Sequence, residues 1–263
     1  QSDPSAPVFA TGGDMLDFLV QSGDISDRDG LLATWFHRAN GKEELNRALA
    51  SDAMILEADI TLQGYGTPNQ KPIPIMAHPP NVTSDNTLDE WLDAVLESRK
   101  GIKLDFKSLA SVGLSLDLLL QKNSTRGINR PVWLNADILK DPLVPGFAVL
   151  ETRTFQSSLT IYFTILPDLT AVQVCKNLLD NYLKTLLLKE KLNHLRWPHI
   201  SWLLSQSPRF SLTLWQGAIH PSVDDLLFVR DNSHPARVYY DIYEPTLSQF
   251  KQAVGKTSLQ HQV

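Results

Sequence analysis

Between Thr34 and Lys107 lie seven side chains with chemistry to offer: His37, Arg38, Glu57, Asp59, His78, Asp105 and Lys107. They fall in four short runs, TWFHRAN, ILEADITL, IPIMAHPP and GIKLDFK, each apolar at its start and polar toward its end. Glu57, Asp59 and Asp105 are hard oxygen donors. Such a set suits one divalent cation, Mg²⁺ or Ca²⁺, with water or substrate oxygens completing its shell. Two imidazoles beside such a cation, His37 and His78, suit acid/base work on a phosphodiester. One attacks or deprotonates while the other protonates the leaving oxygen. Lys107 and Arg38 could hold phosphate oxygens and offset charge developing in the transition state. A plainer reading stands beside this one: Glu57 and Asp59 pair with Arg38 or Lys107, and His78, beside two prolines, is an ordinary loop residue.

What must position these groups is a set of strands. Side chains alternate faces along a strand, so residues two apart share one. Glu57 and Asp59 then oppose Leu56 and Ala58; Lys103, Asp105 and Lys107 oppose Ile102, Leu104 and Phe106; Asn135 and Asp137 repeat the arrangement in VWLNADIL. Polar residues collected at strand C-termini are the pattern of a parallel barrel with outer helices, whose site sits at that mouth. The expected fold is therefore α/β, a TIM-type (β/α)8 barrel. Asn135, Asp137, Trp215 and Asp241 are candidate pocket residues. Lys103 shares the Asp105 face but lies deeper, toward the lower mouth or against a core carboxylate. Trp133, Trp215, Tyr239 and Tyr243 read chiefly as upper-barrel packing, and His194, His199, His220 and His234 as surface residues.

Strand and helix signals alternate along most of the chain. Strands are expected at 31–40, 54–62, 130–139, 157–166, 209–217 and 236–245, with another starting at Gly101 and IPIMAHPP as a third strand or hairpin arm. Asn40 is a plausible N-cap for the helix KEELNRALAS. The helix over 87–100 is the best signalled: Thr87-x-x-Glu90 is a capping box, Leu88, Trp91, Leu92, Val95 and Leu96 form a stripe, and Gly101 supplies the stop. Further helices are expected near 114–122, over 169–195 and at 221–231 with Pro221 in its first turn, and a closing helix starts at Thr246. Residues 1–24 read as a leader with a short helix closing the barrel bottom, 25–255 as one barrel domain and 256–263 as a tail.

A chain of 263 residues is long enough for one such barrel, which needs about 250. Hydrophobic content of 43% and charge of 20% describe an ordinary globular core. A net charge of −5 with no Lys/Arg block gives no footprint for nucleic acid. The single cysteine, Cys175, rules out an intrachain disulfide and leans cytoplasmic. The sequons at Asn81 and Asn123 lean toward a glycosylated, exported protein, as does a chain starting at Gln1. No run reaches the roughly 18 apolar residues of a transmembrane segment.

The order HRAN, ExD, AHPP and KLDFK resembles motifs of the phospholipase-C-like phosphodiesterases, the group of glycerophosphodiester phosphodiesterases and spider-venom phospholipase D toxins. That likeness implies His37 and His78 as catalytic residues, Glu57, Asp59 and Asp105 as ligands of Mg²⁺ or Ca²⁺, and Lys107 as a phosphate contact. A closer resemblance is to the menorin family. HRAN follows its His-x-x-Asn rather than His-Arg-Gly, and MAHPP, SDNTLDEWL, GIKLDFKSL, PVWLNADIL, SLTLWQG and YYDIYEP are similar to menorin strings. This resemblance covers about 25–141 and 201–255. Between 142 and 200 the family's Gly-Trp-Thr and Pro-x-Arg segments are not evident, so the barrel is expected to be irregular or incomplete there. The likeness implies an extracellular or membrane-tethered protein. The phosphodiesterase likeness implies a hydrolase or lyase acting on a glycerophosphodiester or lysophospholipid headgroup, and the menorin likeness implies as the alternative a non-catalytic recognition module for cell-surface protein partners.

Overall fold

The computed structural model describes residues 14–136, 163–164, 197, 201, 204–205, 211–216 and 221–260. The long apolar runs with polar ends become strands of a mixed α/β fold. Its principal sheet contains β1 (Trp35–Phe36), β2 (Ile55–Leu62), β4 (Gly101–Phe106) and β5 (Val132–Ala136), paired in parallel in that order. β3 (Pro74–Met76) folds back antiparallel onto the upper half of β2 and is thus a hairpin arm. β6 (Phe163–Thr164) lies antiparallel to β5, while β7 (Leu212–Trp215) and β8 (Val238–Asp241) form a separate parallel pair. The described residues therefore form a parallel sheet with helices, and hydrogen bonding among them does not close an eight-stranded ring.

The parity read from sequence holds in three dimensions. Leu56, Ala58, Ile60, Ile102, Leu104, Phe106 and Val132 pack outward against α2 (Lys42–Ala50), α3 (Leu88–Leu96) and α4 (Leu109–Arg126). The opposite face turns inward. There Trp133 meets Tyr239 edge-on at 4.7 Å between ring centroids, and Trp35 lies 5.6 Å from Trp133. Residues of β1, β5 and β8 thus meet across the interior, so the sheet is strongly curved. Trp133 and Tyr239 belong to the cluster with α1 (Met15–Gln21). This corrects their placement in the upper barrel: they floor the interior, and the site stands above them. On the far side α5 (Val223–Asp231) and α6 (Thr246–Gln260) bury Leu226, Val229 and Phe250 against Leu214, Val238 and Tyr240. α6 continues into the segment set apart as a tail.

Several local signals resolve differently from their sequence reading. α3 has its capping box at Thr87 and Glu90, but it ends at Leu96 with Glu97 as its C-cap. Gly101 instead opens β4, where an added Cβ would lie 2.7 Å from Met15 Sδ, so its role is close approach of α1. The N-cap of α2 is Gly41, with no side-chain cap, because the Asn40 side chain is engaged elsewhere. Pro221 precedes the N-cap of α5, Ser222. The first strand is only two residues long, because Arg38 adopts φ 60° and turns the chain across the sheet end. Replacing Thr87 with Ala removes the cap donated to by the Glu90 N–H. A cost of about 1 kcal/mol, a thermal midpoint lower by about 2–4 °C, is the expected outcome in a melting experiment.

Candidate active site

A charge is costly to bury without a partner. Among the described residues the buried charged side chains are Glu57, Asp59, Lys103, Asp105, Lys107 and Asp241. All lie on the inward face of β2, β4 and β8 or just beyond it, and the register places Glu57 beside Lys103 and Asp59 beside Asp105. One oxygen from each of Glu57, Asp59 and Asp105 falls within 4.8 Å of the others, so the triad could hold a metal ion. Lys107 Nζ lies 2.8 Å from Asp105 Oδ2 and 3.5 Å from Asp59 Oδ1. The plainer pairing is therefore real for Asp59 with Lys107, and Lys107 doubles as a cation within the acidic group. Lys103 sits one layer lower, 5.8 Å from the Trp35 ring centroid.

Four buried carboxylates against two ammonium groups leave a formal excess of two negative charges. Two titrations relieve it. Burial and the adjacent Asp59 push the Glu57 carboxyl up to about 7, although Lys103 and His37 pull it down. Burial works to lower the His37 imidazole, but the hydrogen bond to Asp241 and the charge of Glu57 outweigh it and raise His37 above its ordinary value.

The β1–α2 loop builds the front of the site. β1 pairs with β2 only at 55–56 and β3 only at 60–62, which leaves the edge of β2 open at Glu57–Asp59. The HRAN loop fills most of that gap. Ala39 N–H donates to Glu57 O, Arg38 N–H to Glu57 Oε2 at 2.8 Å, and Asn40 grips Asp59 through its side chain. The Arg38 side chain is exposed, and its backbone N–H is the group that contacts Glu57. His37 is half-buried, with Nδ1 2.9 Å from Asp241 Oδ2 and 3.8 Å from Glu57 Oε2. An ionised carboxylate can only accept, so His37 Nδ1 carries the hydrogen and Nε2 is left for chemistry. His78 follows Ala77, whose N–H donates to Asp59 O, and its Nδ1 lies 2.6 Å from Pro79 O. A carbonyl also only accepts, which again leaves Nε2 available. Tyr243, 44% exposed, stands edge-on to His37 at 6.3 Å.

Asn135 neighbours Asp105 in register. Asn135 Oδ1 and Asp105 Oδ1 are both buried with no hydrogen-bond partner among the described residues. Asp137 lies outside the described residues, and only the backbone of Trp215 is described, opposite Asp241. His194, His199 and His220 also fall outside them. His234 caps the short 3₁₀ turn before β8, its Nδ1 accepting from Ala236 N–H.

The profile of the Menorin N-terminal domain matches residues 29–166 and 171–247. The chain belongs to the menorin family. Human Protein FAM151B is 38% identical over 267 residues, a span of 92% of this chain and 93% of that protein. No solved structure matches the chain. The menorin match continues through 142–166 and resumes at 171, across the stretch where no family strings are evident by eye. Among the described residues no helix is long and apolar enough to cross a membrane.

Two residues not singled out for the site in sequence, Asn40 and Asn86, contact it in the structure, Asn40 through Asp59 and Asn86 through Asn40. Asn40 was legible only as a helix cap, although the His-x-x-Asn pattern of the menorins was the available signal. Asn86, buried inside SDNTLDEW, carried no signal of its own. Asp241 stood out only as a pocket candidate, and its partnership with His37 spans 204 positions.

Proposed function

We propose that this menorin is a metal-dependent phosphodiesterase acting on a glycerophosphodiester or a lysophospholipid, at or outside the cell surface. One observation carries the reading: the buried charges of the described fold are collected at one sheet end, with His37 against Asp241 and Glu57 and with His78 directly after Ala77, whose N–H donates to Asp59 O. The donor set fits a divalent cation. The groups are hard oxygens, the formal excess among the described buried residues is two negative charges, and Asp105 Oδ1 and Asn135 Oδ1 are buried acceptors with no partner among the described residues. Glu57, Asp59 and Asp105 would hold the ion, which when bound would polarise phosphoryl oxygens and offset their charge. The likeness of the motifs to phospholipase-C-like phosphodiesterases supports the same assignment.

The remaining steps belong to the protein's own side chains. His37, raised above its ordinary value and hydrogen-bonded to Asp241, gives its Nε2 proton to the leaving oxygen. His78, with Nδ1–H fixed on Pro79 O, takes the proton of the attacking oxygen at Nε2. The Lys107 ammonium, already held between Asp59 and Asp105, lies where it can also bind a phosphate oxygen.

Calorimetric titration of metal-free protein with Mg²⁺ and Ca²⁺, followed by a turnover screen on both substrate classes, tests this. Saturable binding is expected, and turnover falls about 100-fold or more in folded His37→Ala and His78→Ala variants. Turnover unchanged in both variants rejects the mechanism. Binding of metal with no turnover, and retention of a cell-surface partner by both variants, would instead assign the recognition role.

A further inference from the structure

Asp59 is gripped from outside its own strand. Asn40 Nδ2 donates to Asp59 Oδ2 at 2.8 Å, and Asp59 N–H donates to Asn40 Oδ1 at 2.8 Å. The amide thus binds both the backbone and the carboxylate of one residue, on the edge of β2 left open between β1 and β3. With Oδ2 so occupied, Oδ1 is the oxygen turned toward the Lys107 ammonium. Asn40 is itself held. The fully buried Asn86 donates from Nδ2 to Asn40 O at 3.0 Å, and Trp91 Nε1 donates to Ala39 O at 2.8 Å. Asn86 O in turn accepts from Met76 N–H, which ties the hairpin arm leading to His78 into the same chain of contacts. Two separated strings, HRAN and SDNTLDEW, therefore interlock at the acidic triad.

We propose that Asn40 is a positioning residue for the Asp59 ligand, backed by Asn86, and that this Asn86–Asn40–Asp59 relay sets the cation affinity of the site. The inference rests on the proposed metal site and deepens it. A carboxylate with one oxygen held by an amide presents the other in a single direction. Loss of the amide leaves the Asp59 carboxylate free to rotate out of that direction, and leaves a polar backbone group on an open sheet edge. Outer partners of metal ligands typically change affinity by about 10–100-fold when removed.

The test is titration of the full chain with Mg²⁺ and with Ca²⁺, in wild type, Asn40→Ala, Asn86→Ala and Lys42→Ala, with the melting of each metal-free protein recorded alongside. Lys42→Ala is the structural control: it removes the 3.0 Å pair with Glu90 on the same interlock but touches no ligand. Asn40→Ala should weaken binding by about 10–100-fold and Asn86→Ala by less, while Lys42→Ala binds as wild type does. A purely structural Asn40 would lower the melting point and leave the affinity of the folded protein unchanged, and that result overturns the proposal. Where Asn40→Ala does not fold, Asn86→Ala decides, since it keeps the Asn40 side chain: weaker binding supports the relay and unchanged binding overturns it. Wild type that binds neither ion overturns the metal reading and this inference with it, whereas wild type and Asn40→Ala binding equally overturns this inference alone.

Discussion

Glu57→Gln is expected to make the metal-free protein more stable at pH 8 and to abolish its stabilisation by metal. The wild-type carboxyl keeps its proton up to about 7 in the fold, against an ordinary value of 4.5. Between those values the folded state holds the extra proton. Stability from this group is therefore full at low pH, is lost as the pH rises, and is wholly lost above about 7. The difference corresponds to at most about 3 kcal/mol. His37 acts in the same direction, since its raised value gives stability that is present below 6.5 and lost as the pH climbs through its folded value. Gln keeps an oxygen for the Arg38 N–H and removes the charge. Three carboxylates then still face the two buried ammonium groups, so no cation is stranded.

A divalent ion must displace the Glu57 proton, so its stabilising effect grows with pH. Thermal melts at pH 5.5 and pH 8, with and without Mg²⁺ or Ca²⁺, read all of this. Metal-free Glu57→Gln should melt above wild type at pH 8, with the gap shrinking at pH 5.5. Wild type should gain stability on adding metal, more at pH 8, and the variant should gain none. An equal metal-induced rise in both proteins would show that the ion binds elsewhere.

How much of this site could be read in one dimension depended on the range of each signal. The inward face was legible because strand parity is local: Glu57 with Asp59 and Lys103 with Asp105 are each two apart, and the apolar residues between them pack outward as expected. Signals of helix termination were less reliable, because Gly and Asn serve several purposes. Gly101 was needed for the approach of Met15, and Asn40 was drawn off its capping role by an unsatisfied strand edge. That edge exists only because β1 stops after two residues, which nothing within TWFHRAN announces. The height of the aromatic layer was misjudged for a related reason. Parity says that Trp133 and Tyr239 face inward, but only the packing of α1 beneath them says which end they occupy. Arg38 shows another limit: its residue type drew attention to the side chain, while its left-handed backbone also brings its N–H onto Glu57 Oε2, which residue type alone does not announce.

Asp241→Asn should remove most of the proposed phosphodiesterase turnover while leaving the protein folded. The carboxylate reaches His37 from β8, at the far end of the sequence, and its backbone is independently fixed because Gln216 N–H donates to Asp241 O. Replacement by the isosteric amide therefore changes charge more than position. The Asp241 bond and charge are among the forces that raise His37, opposing burial, so the variant imidazole titrates at a lower pH than in wild type. Two consequences follow for a residue that must donate a proton. Less of it is protonated at neutral pH, and the alkaline limb of the turnover profile, which reports the acid, moves to lower pH. An amide that presents its N–H to Nδ1 would also shift the hydrogen to Nε2 in the neutral ring, exchanging the two nitrogens' roles. A loss of about 100-fold to 10,000-fold in turnover is the expected scale for removing such acid/base assistance. NMR titration of the His37 ring gives a readout independent of substrate. A lower His37 value in Asp241→Asn with unchanged Mg²⁺ or Ca²⁺ affinity would separate the proton-transfer side of the site from its cation side. A His37 value that does not move would mean that the 2.9 Å contact does not govern the imidazole, and His37 would lose its assignment as the acid.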